Sequence, residues 1–264
     1  MKLIIKEVIA YINSNISHEM KVEDIAVYFG YSKFHFSREF KRLTGFSVSE
    51  YISALKIELS IKELTRNKNS VLGSQLKSGY LSSGTYSSTF SKSTGLSPRQ
   101  YQRKLIDLYN TLNEYENAEG KIETPYYNMI QQADQSKEFY SCKVIIEVPS
   151  HFKKGVVFVG LFQTPIPNHR PIVGKALLKT QQCTLDRIPK GEYYLLVCAI
   201  EKSNNPLHYF LLNSCLRGRV EEKVSFPTEC EKEYFVKLRD PLPQDPPILV
   251  NLPSLLAEVI LNRK

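Results

Sequence analysis

The stretch GYSKFHFSREFKRLTGFSVSEY at residues 30–51 returns in altered form as GYLSSGTYSSTFSKSTGLSPRQY at residues 79–101. Several residues of the first stretch recur fifty positions later, among them Phe40, Thr44, Gly45, Ser47 and Tyr51. The leading Gly-Tyr pair recurs after forty-nine positions, so one extra residue has entered the second copy. The chain therefore contains an internal repeat of about fifty residues.

Each copy has the pattern of two short helices joined by a turn. In the first copy, apolar residues at helical spacing end at Gly30, which supplies the backbone freedom that stops a helix. A second helix is predicted over residues 33–44, with Phe36, Phe40 and Leu43 on its inward face. Two short helices that cross over a glycine-containing turn form a helix-turn-helix.

The helix that follows each copy begins with a predicted capping box. Ser47 and Glu50 form it in the first copy, and Ser97 and Gln100 repeat it in the second. Between the copies, Val48 to about Arg66 is predicted to be one helix of roughly 28 Å. A helix of that length would hold the second helix of each helix-turn-helix about 34 Å apart, which is one turn of the DNA duplex. Both helices could then enter successive major grooves.

The positive charge of the chain lies in the same region. Up to Ile106 there are 16 lysines and arginines and 8 acidic residues, whereas the remainder has 19 of each. Lysine and arginine neutralise the phosphates of nucleic acids. The repeated part is therefore predicted to bind double-stranded DNA.

Together these motifs resemble the DNA-binding domain of the AraC/XylS family of bacterial regulators, over about residues 5–104. The resemblance is carried by the Ile25-Ala26 to Gly30-Tyr31 stretch, by FSREFKR with Thr44-Gly45, and by TGLSPRQY ending at Tyr101. The chain departs from the family pattern at Ser74-Gln75, where an Ile-Ala pair is usual, and at Lys56 and Ser60. The resemblance implies a sequence-specific transcription regulator that acts as an activator through RNA polymerase.

The two copies are predicted to contact DNA in different ways. Arg38 is the candidate for direct readout of guanine, and Phe34 could pack on a thymine methyl. Ser37 could bond base or phosphate, while Lys33, Lys41 and Arg42 are candidates for phosphate contacts. The second copy offers mostly small polar residues, predicted to contact the DNA backbone: Ser83, Gly84, Thr85, Ser87, Ser88 and Lys92.

The chain is predicted to be multidomain. Residues 1–106 form an all-α tandem helix-turn-helix domain, residues 107–140 a helix and linker, and residues 141–264 an all-β antiparallel sandwich with a C-terminal helix from about Pro253 to Asn262. Strands are predicted at residues 143–148, 156–162, 172–178, 193–200, 207–212, 234–238 and 248–252.

The second part has no residue pattern that indicates catalysis. No triad, metal site or phosphate loop is found at a recognisable spacing, so no enzyme activity, cofactor or metal is expected. The five cysteines include no C-x-x-C and are expected to be buried, reduced thiols, with redox sensing as the alternative. His169-Arg170 is predicted to lie in a rigid surface loop, with anion binding as the alternative.

Three roles are open for the predicted sandwich: sensing a small-molecule effector, pairing two chains as a homodimer, or contacting another protein. An enzyme fused to a DNA-binding domain is the alternative reading of the whole chain. The sequence has no apolar run long enough for a membrane span, and its N-terminus lacks the pattern of a signal peptide. A cytoplasmic location without membrane contact is expected.

Overall fold

The computed structural model describes residues 4–66, 70–117, 126–128, 138–178 and 180–255. The chain forms two compact units. The helical unit comprises Met1–Arg103 together with Leu242–Leu249, and the β unit comprises Lys104–Pro241 together with Val250–Lys264.

The helical unit is built from successive helices, the last of which continues into the β unit. Their bounds are α1 Ile4–Ser14, α2 Val22–Tyr28, α3 Lys33–Thr44, α4 Val48–Thr65, α5 Val71–Lys77, α6 Ser83–Thr94 and α7 Pro98–Asn117. Helices α2 and α3 form the first predicted helix-turn-helix, α5 and α6 form the second, and α4 is the predicted connecting helix. The repeat is thus confirmed as two copies of one helical arrangement.

The predicted helix ends follow from local chemistry. Both bonds of the capping box at Ser47 and Glu50 are present, with Ser47 N–H donating to Glu50 Oε2 at 2.7 Å. The same two bonds join Ser97 and Gln100 at the start of α7. Gly45 ends α3 with a left-handed backbone, which costs a glycine little because it lacks a Cβ.

The described residues of the β unit form two sheets. Its strands are β1 Tyr126–Asn128, β2 Phe139–Glu147, β3 Gly155–Phe162, β4 Val173–Leu177, β5 Gln182–Pro189, β6 Gly191–Glu201, β7 Leu216–Arg219, β8 Val224–Phe226 and β9 Glu233–Lys237. One sheet has the order β1-β4-β3-β6-β7, with β8 also paired to β6. The other has the order β5-β2-β9. A single apolar cluster draws buried residues from both sheets, including Val144 of β2 and Val159 of β3.

The antiparallel sandwich is confirmed with one departure. Strand β9 pairs with β2 in parallel, with Ile145 opposite Phe235, whereas the other strand pairs of the described residues are antiparallel. A parallel pair needs a long connection rather than a hairpin. Here strands β3 to β8 lie between β2 and β9 along the chain.

Two predicted strands are wrong. Residues 207–212 are not a strand, because Pro206–Tyr209 form a short 3-10 helix, a structure that suits the fixed φ of proline at its first position. Residues 248–252 form no strand, and residues 252–255 are instead helical. Prolines at 246, 247 and 253 flank this segment and lack the N–H of a strand ladder, so no ladder could extend beyond it at either end. The rest of the predicted terminal helix lies outside the described residues.

Candidate nucleic-acid interface

The first helix-turn-helix places α3 on a tightly packed aromatic core. Phe36 and Phe40 are fully buried, and Phe40 lies 6.0 Å from both Phe46 and Tyr51, measured between ring centroids. Phe46 and Tyr51 stack at 5.4 Å. Because these rings come from α3, the turn after it and α4, they fix how α3 lies against the connecting helix.

The threonine that ends α3 and the one that ends α6 each stabilise the following turn by hydrogen bonds. Thr44 Oγ1 donates to the carbonyl of Phe40 at 2.8 Å and lies 3.0 Å from that of Phe46. Thr94 repeats both contacts with Phe90 and Leu96, at 2.9 and 3.0 Å. The recurrence of threonine in the sequence therefore has a structural cause, which is the same turn built twice.

The outward face of α3 has an exposed aromatic ring and two exposed cations. Phe34 is 86% exposed, the most exposed of the large apolar side chains described in this chain. Arg38 and Lys41 follow it at i+4 and i+7 and are also exposed, so the three share one face. Ser37 is half-buried beside them. This face can offer an apolar surface, a planar guanidinium and a flexible ammonium group to a ligand.

Two of the predicted phosphate contacts already have acidic neighbours. Arg42 donates to Glu39 Oε2 through Nε at 3.0 Å and Nη2 at 2.9 Å, and these bonds lower the pKa of the Glu39 carboxyl. Lys33 lies 3.7 Å from Glu23 of α2. The cations of both pairs are more than half exposed, so the pairs are weak and a phosphate can compete for Lys33 and Arg42.

The outward face of α6 is composed of small groups. Gly84, Thr85 and Ser88 are exposed, Lys92 is exposed near its end, and Ser87 is half-buried. The Ser83 hydroxyl donates to Gln75 Oε1 at 3.0 Å, so it is engaged within the unit. Helix α6 therefore lacks the long side chains with which α3 could reach a base edge.

The core beneath α6 contains a group of buried hydroxyls beside its aromatic rings Tyr86 and Phe90. Tyr86 occupies the position in the second copy that Phe36 occupies in the first. Its hydroxyl lies 2.7 Å from Ser60 Oγ and 3.1 Å from Ser74 Oγ. The two serine oxygens lie 2.9 Å apart, and all three side chains are fully buried. We call Ser60, Ser74 and Tyr86 the hydroxyl cluster. Ser60 and Ser74, two of the departures from the family pattern, are thus hydrogen-bonded to each other.

Two further contacts join α4 to the second helix-turn-helix. Glu63, only 4% exposed, pairs with Lys77 of α5 at 2.8 Å and with Arg66 at 3.0 Å. Lys56 donates to the carbonyl of Gly79 at 3.0 Å, and partial burial lowers the pKa of its ammonium group. Sequence reasoning did not identify these contacts, because their partners are 14 and 23 residues apart.

Sequence reasoning also missed His35. Arg38 Nη2 donates to His35 Nδ1 at 3.3 Å, and the imidazole stacks on Tyr31 with 5.5 Å between ring centroids. The available signal was the i, i+3 spacing of His35 and Arg38, which places them one turn apart on the helix surface.

Within the described ranges, no group of three or more histidine, cysteine or acidic side chains is arranged to hold a metal ion. None of the helices searched is both long and apolar enough to cross a membrane. The five cysteines are free thiols. Cys142, Cys198 and Cys215 are buried as expected, whereas Cys183 is half-buried and Cys230 is exposed.

Comparison with known proteins gives matches to the repeated part. Residues 25–104 match a family described as a helix-turn-helix domain. The HTH-type transcriptional activator AarP of Providencia stuartii is 31% identical over 99 residues, which cover 38% of this chain and 73% of AarP. Regulatory protein SoxS of Escherichia coli (strain K12) is 28% identical over 102 residues, covering 39% of this chain and 95% of SoxS.

Solved structures also match this chain. A transcriptional regulator with an AraC-type DNA-binding domain from Chromobacterium violaceum is 25% identical, with a TM-score of 0.37, and the match covers 39% of this chain and 92% of that one.

Proposed function

The chain belongs to the AraC/XylS family of DNA-binding transcriptional regulators, and we propose that it reads its operator asymmetrically, with α3 selecting bases and α6 holding the DNA backbone. The observation that carries this proposal is the contrast between the two outward faces. Helix α3 exposes Phe34, Arg38 and Lys41, whereas α6 exposes mainly glycine, serine and threonine.

Arg38 has the central role in this proposal. A guanidinium can donate two parallel hydrogen bonds to O6 and N7 of guanine, and a good bidentate pair contributes about 1–3 kcal/mol of discrimination against another base. Phe34 would cover a thymine methyl, with Ser37 bonding base or phosphate. Lys33, Lys41 and Arg42 would contact phosphates, and so would residues of the second copy: Gly84, Thr85, Ser87, Ser88 and Lys92. Ser83 would join them by exchanging its hydrogen bond with Gln75 for one with a phosphate.

The first test is selection of duplexes from a random pool by the full chain, followed by binding assays on the selected site. Arg38→Ala should relax the preference at one base pair and weaken binding by about 1–3 kcal/mol. Ser88→Ala, the matched change on α6, should weaken binding equally to all sequences. If Arg38→Ala leaves the footprint unchanged while Ser87→Ala or Ser88→Ala removes it, the roles of the two helices are reversed.

A salt titration separates phosphate contacts from base contacts. Lys41→Ala should reduce the slope of log affinity against log salt by about one, because one fewer counterion is released. Arg42→Ala, whose guanidinium pairs with Glu39, should change the slope less. Salt-independent binding of the full chain to duplexes would contradict this account of the interface.

We infer that the chain activates transcription, since AarP is described as an activator, and that it does so in the cytoplasm by contact with RNA polymerase. The β unit would then regulate the helical unit, by binding an effector or by pairing two chains. A reporter with the selected site upstream of a weak promoter should rise when the chain is expressed. A fall would identify a repressor.

A further inference from the structure

The side chain of Arg38 is held in place by its own helix. Arg38 Nη2 lies 3.3 Å from Nδ1 of His35, one turn earlier on α3. The imidazole in turn stacks on Tyr31, in the turn before α3, with an angle of 22° between the ring planes. Tyr31, His35 and Arg38 therefore form a continuous series of contacts along the exposed surface of the first helix-turn-helix.

The direction of the hydrogen bond between Arg38 and His35 determines the tautomer of the neutral imidazole. A guanidinium can only donate hydrogen bonds, so Nδ1 of His35 must accept. The proton of the neutral ring is then on Nε2. The stack on Tyr31 favours one plane for the ring, and in that plane Nδ1 faces Arg38 Nη2 at 3.3 Å.

We propose that His35 is a positioning residue that preorganises Arg38 for base recognition and so sharpens the base preference of the first helix-turn-helix. This inference rests on the proposed function, in which Arg38 reads a base. A free arginine side chain samples many rotamers and loses that freedom when it binds. A partner that restricts it beforehand reduces this cost at the preferred base pair, and gives no benefit where the guanidinium finds no bidentate acceptor.

The experiment uses the full chain and two duplexes, the selected site and the same site with the Arg38 base pair replaced. His35→Leu removes the acceptor, His35→Asn restores an acceptor oxygen close to the position of Nδ1, and His18→Leu makes the same replacement at another exposed histidine. Affinities for both duplexes are measured by fluorescence anisotropy for each variant, alone and combined with Arg38→Ala.

We expect His35→Leu to reduce the ratio of the two affinities about three- to tenfold, the change that corresponds to one net hydrogen bond. His35→Asn should bring the ratio back to within about twofold of the original, and His18→Leu should leave it unchanged. In the Arg38→Ala background, His35→Leu should have no further effect, because its action passes through the guanidinium.

Different failures have different meanings. If His35→Leu reduces the ratio equally with and without Arg38, or if His35→Asn gives no recovery, His35 acts by another route and the inference is overturned. If Arg38→Ala abolishes base preference while His35→Leu leaves it intact, only the positioning role fails. If Arg38→Ala leaves the preference intact, the base-reading role of Arg38 fails, and the inference about His35 fails with it.

Discussion

Removal of one hydroxyl from the hydroxyl cluster should loosen the second helix-turn-helix and leave the first unaffected. In Tyr86→Phe the ring stays, but the contacts of its hydroxyl with Ser60 at 2.7 Å and Ser74 at 3.1 Å are lost. The two serines keep each other at 2.9 Å, so neither is left without a partner. The expected loss is that of two net hydrogen bonds, about 1–2 kcal/mol.

Hydrogen exchange of the full chain, followed by mass spectrometry, measures this loss locally. A change of 1–2 kcal/mol should make amides in α5 and α6 exchange about 5- to 30-fold faster. Amides of α3 should exchange at the original rate, because Phe36 and Phe40 are untouched. Tyr28→Phe is the control, since it deletes a hydroxyl from a side chain that is 67% exposed.

The reasoning is refuted if exchange in α6 is unchanged, or if α3 and α6 accelerate equally. A stricter check replaces every member of the hydroxyl cluster in one variant, Ser60→Ala, Ser74→Ala and Tyr86→Phe. Removing all partners together leaves no buried hydroxyl unsatisfied. The triple variant should therefore lose less than the sum of the three single changes.

Three other expectations can be tested on the same protein. Gly30→Ala should lower the free energy of unfolding by about 1–2 kcal/mol, because alanine is strained in the left-handed backbone at this position. Gly79→Ala should lower it further, because the added Cβ would also lie 2.8 Å from a backbone oxygen. Equal losses in the urea midpoints of the two variants would contradict this. Hydrogen bonds from Ser47 hold the pKa of the Glu50 carboxyl below its ordinary value of 4.5. The stability that Glu50 contributes is therefore present above pH 4.5 and is lost as the pH falls through the pKa of the folded state. In Glu50→Gln, the urea midpoint measured against pH should lose this dependence, which is worth no more than about 0.5 kcal/mol at an exposed site. Cys230 should react first with a thiol reagent and Cys142 slowly, since burial raises the pKa of Cys142 to about 12; mass spectrometry showing similar labelling rates would contradict this.

The helical unit was predictable because its determinants are local. Caps, glycine C-termini and the i, i+4 spacing of Phe36 and Phe40 act within a few residues, so the sequence alone locates α3 correctly at 33–44. The outward face of α3 could be predicted for the same reason. The hydroxyl cluster could not, because Ser60, Ser74 and Tyr86 come from three helices and each alone reads as an unremarkable polar residue.

The β unit was less predictable because strand pairing is not local. Strand β5, Gln182–Pro189, was missed since only Leu185 and Ile188 are buried in it, which weakens the alternation that marks a strand. The parallel pairing of β9 with β2 depends on the whole arrangement of the sheets, and no short-range pattern encodes it.

Helix α5 is turned so that Ser74 and Gln75 face inward while Leu72 and Leu76 are 58% and 60% exposed. Unfolding it would therefore uncover little new hydrocarbon. Since newly wetted apolar surface is what raises the heat capacity, unfolding of α5 should raise it less than unfolding of α2, whose inward pair is Ile25 and Ala26. In the cold, when hydrophobic burial weakens, the packing of α5 should therefore weaken less than that of α2.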